Sequence, residues 1–406
     1  TSTQLVAFSQ SNILCQSIRT FDIFENETSI GNDSEFNEEE YLSGLLGERY
    51  ISTPVVVFLT LIYVIIFITG VVGNVFTCIV IARNKCMHTT TNYYLFSLAI
   101  SDVLTLLLAL PPDVSSIWEA YPWRFGTFFC IIKSFISEMT SYASVLTITA
   151  FTAERYVAIC RPLLSQSLSS LSRAVKIIIG IWIVACICAL PYPIHTRVFY
   201  EIQNPYTNES IEESLLCNIP SEWRIPMGYM FQFSTFAFFI IPMIVITIVY
   251  ILIGAELWNS KLGIDNTKNK QAAAQAAKAR KAVLKMLVAV VIAFFVCWAP
   301  FHVQRLMTIY VPPGSWTVQL LEIQTYIFYV SGVLYFVSST VNPILYNVLS
   351  KRYRRAFKMT LCRCCHRNKY TNDLSLCRSS PSKDIYPKSS QNFCRLHWHP
   401  FNCSPM

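Results

Sequence analysis

Charge is scarce in this chain. Asp, Glu, Lys and Arg supply 14% of its 406 residues, against roughly 25% in an ordinary soluble domain, which disfavours a water-soluble globular enzyme. No His-Glu-x-x-His pair occurs, and Asp102 has no second Asp at matching depth in another apolar segment, so intramembrane catalysis has no support. The last long apolar stretch, 322–349, contains no Lys and so cannot form the Schiff base of a retinal protein. No solenoid repeat and no paired, interrupted halves of the transporter or channel kind are visible. The first thirty residues hold no hydrophobic signal peptide and the chain begins without Met, leaving the first apolar run to act as its own targeting signal.

What is abundant is apolar length: 53% of residues are hydrophobic and the mean hydropathy is +0.42. Runs long enough to cross a hydrocarbon core, which takes about 20 helical residues, fall at 55–82, 92–117, 128–159, 174–194, 227–256, 282–309 and 322–349. The third, carrying Lys133, Glu138 and Glu154, is the most polar. Seven spans predict an all-α membrane protein with its termini on opposite sides, and the charge agrees. Residues 1–53 carry a net −7, whereas 351–406 carry +10, within an overall +8. Arg83, Lys85, Arg161, Arg173 and the Lys261 to Lys281 stretch lie on the tail side, which the positive-inside rule assigns to the cytoplasm. The sequons at Asn26, Asn32 and Asn208 all fall on the opposite, outer face, as glycosylation requires. The reading is a multi-pass plasma-membrane protein with its N-terminus outside, no enzyme, and no nucleic-acid partner.

Four regions follow: an acidic, glycosylated outer arm at 1–53, a seven-helix domain at 54–350, an amphipathic eighth helix at 351–362 in the inner interface, and a disordered tail at 363–406, so that both termini are expected to be disordered. Topology divides the 15 cysteines between two redox environments. Cys130 and Cys217 both face outward and can bridge, with Cys15 left over. Cys362, Cys364 and Cys365 follow the basic amphipathic stretch and suit acylation, a zinc cluster with His366 being the rival. Pro111, Pro112, Pro191, Pro242, Pro300 and Pro343 interrupt spans, as suits a bundle that bends.

Ionisable groups at membrane depth are functional candidates by default. Asp102 is the clearest, and Asn74, Ser144, Ser338, Ser339 and Asn342 can join it around a sodium ion or ordered waters; a purely structural polar network is the alternative. No other cofactor is indicated.

One motif set per span then appears in order: Gly73-Asn74, Leu98-Ala99-Ile100-Ser101-Asp102, Cys130 with Glu154-Arg155-Tyr156, Trp182, Pro242, Cys297-Trp298-Ala299-Pro300 and Asn342-Pro343-Ile344-Leu345-Tyr346. Together, over about 50–362, they resemble the rhodopsin-like G-protein-coupled receptors. The resemblance implies that Glu154 restrains Arg155 until a G protein binds, that Tyr250 and Tyr346 reach toward Arg155 in the active state, and that Trp298 couples ligand contact to the Pro300 kink. Arg280 stands where many members of that family carry an acidic clamp, so no such clamp is expected.

Thr91-Asn92-Tyr93-Tyr94-Leu95-Phe96-Ser97-Leu98, Leu110-Pro111-Pro112-Asp113 and Val145-Leu146-Thr147-Ile148-Thr149-Ala150-Phe151 narrow this to a resemblance to neuromedin U, pyrokinin and CAPA peptide receptors. That implies an amidated, Arg-containing peptide hormone outside, and a heterotrimeric G protein, of the calcium-mobilising Gq class, and arrestin inside. Asp113 and Glu138 can bind the peptide's Arg, with Arg305, Phe301 and His302 lining the same level. Alternatively Glu138 and Arg305 form an internal salt bridge. A class A receptor for another peptide or a small molecule is the competing function. Ser375, Ser379, Ser380, Ser382, Ser389 and Ser390 offer phosphorylation sites for arrestin docking.

Overall fold

The computed structural model describes residues 36–161, 163–164, 170–262, 270–312, 315–349 and, beyond these, 354, 356, 357 and 360. Seven spans form one bundle. The first is Thr53–Arg83, and the second is Thr90–Leu108 continued by Leu110–Trp118. The third is Gly126–Cys160, and the fourth is Leu171–Ala189 continued by Pro191–His195. The fifth runs from Arg224–Thr235 through a π turn, Phe236–Ile240, into Ile241–Leu262. The sixth is Lys270–Tyr310 and the seventh Val318–Leu349. Six are long and apolar enough to cross a membrane on those grounds alone. The third falls short because serines, threonines and a few charged residues spread along it lower its hydropathy.

The bundle reverses the burial pattern of a soluble protein. Phe58, Ile65, Ile179, Ile187, Ile251 and Ile292 point outward, while Asn74, Ser101, Asp102, Thr105, Thr140 and Thr147 are buried. Hydrocarbon cannot hydrogen-bond, so polar side chains turn inward to one another. Small residues set how closely the helices approach. A Cβ added at Gly73 of the first span would stand 2.9 Å from the ring of Pro343 in the seventh.

Proline and the π turn re-aim the outer halves. The second span breaks at Ala109, just before Pro111 and Pro112, whose missing N–H groups cannot continue the ladder. The fourth breaks at Leu190, before Pro191. In the fifth, the π turn precedes Pro242 and inserts an extra residue, so the outer and inner halves of that helix present different faces. Within it, Phe238 is buried and stacks on Tyr142 at 3.9 Å.

Two features of the outer surface went beyond the sequence reading. The loop after the fourth span contains an antiparallel hairpin, β1 (Arg197–Tyr200) with β2 (Leu215–Asn218), and the Cys130–Cys217 disulfide, Cα–Cα 5.7 Å, ties β2 to the head of the third span. Asn208 is exposed in the hairpin's connection, at φ 57°. The arm, expected to be disordered, is helical over Glu38–Leu46. Asn37 caps that helix, three glutamates sit against its positive N-terminal end, and Leu42 and Leu46 pack with Tyr121 and Ile211. Burial of this leucine face overrides the polar composition of the arm. Residues 1–35, with Asn26 and Asn32, lie outside the described residues.

An ionic clasp completes the cap. Glu119, following the second span, accepts from Arg124 at 2.6 Å and from Arg49 at 2.7 Å, and Arg49 also meets Glu213 at 2.6 Å. Of residues 351–362, the four described are helical; Phe357 packs edge-on to Phe76 at 5.7 Å and Thr360 accepts from Asn84 at 3.0 Å. Cys362, Cys364, Cys365 and the serine-rich tail lie outside the described residues.

The Arg124 hydrogen bonds, then those of Arg49, hold the Glu119 carboxyl down, from 4.5 to about 2. A carboxyl lowered on folding stabilises the fold above its unfolded value, and that stability is lost as pH falls through the folded one. The clasp is therefore fully formed at neutral pH and is lost between about 4.5 and 2. Thermal unfolding of the solubilised protein should show an acid-side stability loss in this window that Glu119→Gln removes.

Candidate ligand pocket and signalling core

At the outer level, the second and third spans meet through Asp113 and Lys133. Lys133 Nζ lies 2.5 Å from Asp113 Oδ1, and 5.8 Å from the centre of the Trp123 ring. Asp113 is within electrostatic reach of Tyr63 in the first span and Tyr335 in the seventh, so it faces the bundle interior. Lys133 had registered in the sequence only as a break in hydropathy. Its signal was available, because a lysine one turn below Cys130 at membrane depth needs a partner.

Five residues deeper along the third span, Glu138 meets Arg305 of the sixth. Both Arg305 terminal nitrogens donate to the carboxylate, Nη1 at 3.3 Å to Oε2 and Nη2 to Oε1. The guanidinium is also boxed by Phe231 (4.5 Å), Phe301 (4.6 Å) and Tyr192 (5.6 Å). The internal salt bridge, one of the two sequence alternatives, is thus formed. Phe301 shares the sixth span with Arg305, but Tyr192 and Phe231 come from the fourth and fifth spans, which no spacing rule could bring to this point. Tyr142 donates to Tyr192 at 3.1 Å, and His302 pairs with Thr235 at 3.0 Å while stacking on Phe239.

Trp298 lies beneath. It meets Tyr335 edge-on at 5.2 Å, Phe301 at 6.0 Å and Phe294 at 5.6 Å, two residues before Pro300. Tyr335 hydrogen-bonds to the Ser137 carbonyl at 3.2 Å. A shift at Phe301 is therefore felt by both Trp298 and the third span.

Below the aromatic layer is a polar cavity of about 30 Å³ lined by Asp102, Thr140, Ser144, Trp298, Ser339 and Asn342 among others. That is roomy enough for water. Asp102 accepts from Asn342 Nδ2 at 3.2 Å, with Ser339 lining the same cavity. Ser144 donates to Ser101 at 2.9 Å, and Asn74 Nδ2 donates to the Ser339 carbonyl at 2.7 Å, leaving its own Oδ1 without a partner. Ser338 also lines the cavity, its hydroxyl donating to the Tyr335 carbonyl at 2.6 Å. The Asp102 carboxylate and the hydroxyl oxygens around the cavity are a donor set suited to a hard cation.

The inner end departs from the sequence expectation. Glu154 pairs with Arg173 at the foot of the fourth span, at 2.5 Å, and not with its neighbour Arg155. Adjacent helical residues project about 100° apart, so Glu154 reaches the fourth helix while Arg155 turns back into the bundle. Arg155 instead lies over Phe151 at 5.3 Å, with Nε unpaired and Tyr250 of the fifth span within electrostatic reach. Tyr156 is half-buried beside it. The Tyr346 and Arg280 side chains lie outside the described residues.

Residues 73–346 match the family model for the seven-transmembrane receptors of the rhodopsin family. The chain belongs to that family. The receptor is 41% identical to the pyrokinin-1 receptor of Drosophila melanogaster, over 76% of this chain and 80% of that protein. It is 40% identical to a neuromedin U receptor homologue of Caenorhabditis elegans, covering 79% and 83% of the two chains, and 38% identical to neuromedin-U receptor 2 of Mus musculus, covering 81% of each. It is a membrane receptor, not an enzyme.

Removing one member of a buried ion pair strands the other charge, at a cost of about 3–5 kcal/mol, whereas neutral partners of similar volume need cost little. Glu138→Gln and Arg305→Met should each lower the thermal stability of the solubilised receptor strongly. The double variant should recover most of the loss, giving a large favourable coupling in a double-mutant cycle.

Proposed function

We propose that this receptor sits in the plasma membrane with its N-terminus outside, binds an amidated, Arg-containing peptide hormone in the outer half of the bundle, and activates a heterotrimeric G protein of the Gq class. The observation that carries the reading is the pair of carboxylates, Asp113 and Glu138, each placed at membrane depth against a cation. Such sites accept a guanidinium through paired, charge-assisted hydrogen bonds. Amidation of the ligand is what the resemblance to the pyrokinin and neuromedin U receptors implies. The names of the pyrokinin and neuromedin U relatives support this ligand class.

The outer surface suits a basic ligand. Glu38, Glu39, Glu40 and Glu48 are exposed on the arm, and Glu209 and Glu212 on the hairpin connection, which raises the local concentration of cationic peptide. Ligand contact at Phe301 passes through Trp298 and Tyr335 to Pro300, and outward bending of the sixth span opens the inner face around Arg155 to the G protein. A sodium ion at Asp102 would favour the inactive packing, glycans at Asn26, Asn32 and Asn208 and acyl groups at Cys362, Cys364 and Cys365 complete the mature receptor, and arrestin engages the phosphorylated tail.

Cells expressing the receptor should mobilise calcium in response to amidated peptides ending in Arg-Leu or Arg-Val. The free-acid and citrulline forms should be at least tenfold weaker; equal potency of the three would refute the ligand assignment. Arg155→Ala should abolish signalling with peptide binding retained, and normal signalling would remove Arg155 from the coupling site.

A further inference from the structure

The two ion pairs of the outer bundle are built differently. Arg305 and Glu138 are both covered, 7% and 6% exposed, joined through both carboxylate oxygens and enclosed by three rings. Lys133 meets Asp113 through a point contact, Nζ to Oδ1 at 2.5 Å. The lysine side chain is covered, at 9% exposure, but the carboxylate is open, at 38%. Among the described residues, nothing donates to Asp113 Oδ2. A cation entering from outside therefore meets a carboxylate that is half engaged, and held there by a point charge on a flexible stem.

We propose that Lys133 is an internal stand-in for the ligand's cation: its ammonium occupies Asp113 in the free receptor and is displaced onto Trp123 when a guanidinium takes the carboxylate. This rests on the proposed peptide reading and extends it by choosing Asp113 over Glu138 as the exchangeable site. Chemistry favours the exchange. A guanidinium engages both carboxylate oxygens in one plane, which an ammonium cannot do, and it is the more weakly hydrated of the two cations.

The displaced lysine has a place to go. Trp123 is already within cation–π range, and its ring is held in position: Nε1 donates to the Gly126 carbonyl at 2.9 Å, and its backbone N–H to the Leu215 carbonyl of β2 at 2.8 Å. Lys133 thus remains paired with the ring face while its carboxylate changes hands. Since β2 is also tied to the third span by the disulfide, the exchange takes place against a fixed wall.

An internal competitor lowers apparent ligand affinity by the fraction of sites that it leaves free. Lys133→Gln should therefore raise affinity for an amidated Arg peptide by about tenfold, which corresponds to roughly 1.4 kcal/mol, with less than a twofold change for the citrulline analogue. Lys133→Arg, a bidentate competitor, should lower it, and Asp113→Asn should abolish these differences. Surface expression controls for folding. A loss of Arg-peptide affinity in Lys133→Gln, or an equal shift for both peptides, would overturn the proposal. The purified receptor provides a second measurement independent of the hormone. Thermal stabilisation by N-acetyl-argininamide, relative to N-acetyl-citrullinamide, should be larger in Lys133→Gln than in the unmodified chain, and no difference would also overturn it. If no amidated Arg peptide activates the unmodified receptor, the peptide reading fails, while the argininamide comparison still decides the role of Lys133.

Discussion

The ion pair between Glu138 and Arg305 sits where neither water nor lipid can stabilise either charge. Each group therefore depends on the other, and through them the third and sixth spans are held at one separation. Around that contact the aromatic side chains of the fourth, fifth and sixth spans close, and beneath it Trp298 and Tyr335 transmit its position to the Pro300 kink. The same constraint acts at every level of the bundle. Lys133 answers Asp113 above, Asn342 answers Asp102 below, and Arg173 answers Glu154 at the inner end. A membrane bundle with so few charges uses almost every one it buries as a cross-helix tie.

These ties differ in how firmly they are held, and that difference is what allows a receptor to work. A bidentate pair within three rings resists exchange, whereas a single ammonium contact to an open carboxylate invites it. Among the described residues Arg155 forms no salt bridge, and it packs on Phe151 while Glu154 is taken up by Arg173. The outer cap is the opposite case, with a disulfide, a hairpin and the Arg49, Glu119 and Arg124 clasp anchoring the wall against which ligand and Lys133 move. A rigid rim above a bundle with breaks at Ala109 and Leu190 and prolines inside the sixth and seventh helices, Pro300 and Pro343, concentrates motion inside the spans.

Much of the fold was legible because the membrane imposes a length rule. Seven apolar runs, the sign of the loops between them and motifs such as Trp298-Ala299-Pro300 are local quantities. So was the list of candidate polar residues, since any charge within an apolar run must have a use. Legibility ended where a residue's role depended on a neighbour distant in sequence. Asp113 read as a ligand site because nothing near it in sequence announces Lys133 as its partner, and the resemblance assigned Glu154 to Arg155, whereas adjacent helical residues point about 100° apart and Glu154 reaches Arg173. The arm helix was missed for a similar reason: its acidic face gives it a disordered composition, and only the packing of Leu42 and Leu46 on Tyr121 and Ile211 makes it fold.

The sequence by itself determined the number of spans and the side chains that must be buried, because these follow from transfer of each segment between water and hydrocarbon. Tertiary structure alone decided which carboxylate meets which cation and how completely. Those outcomes depend on distances between helices, set by contacts such as Gly73 against Pro343 and by the kinks that re-aim each outer half. A helical period specifies the face on which a residue lies, but not what stands opposite it.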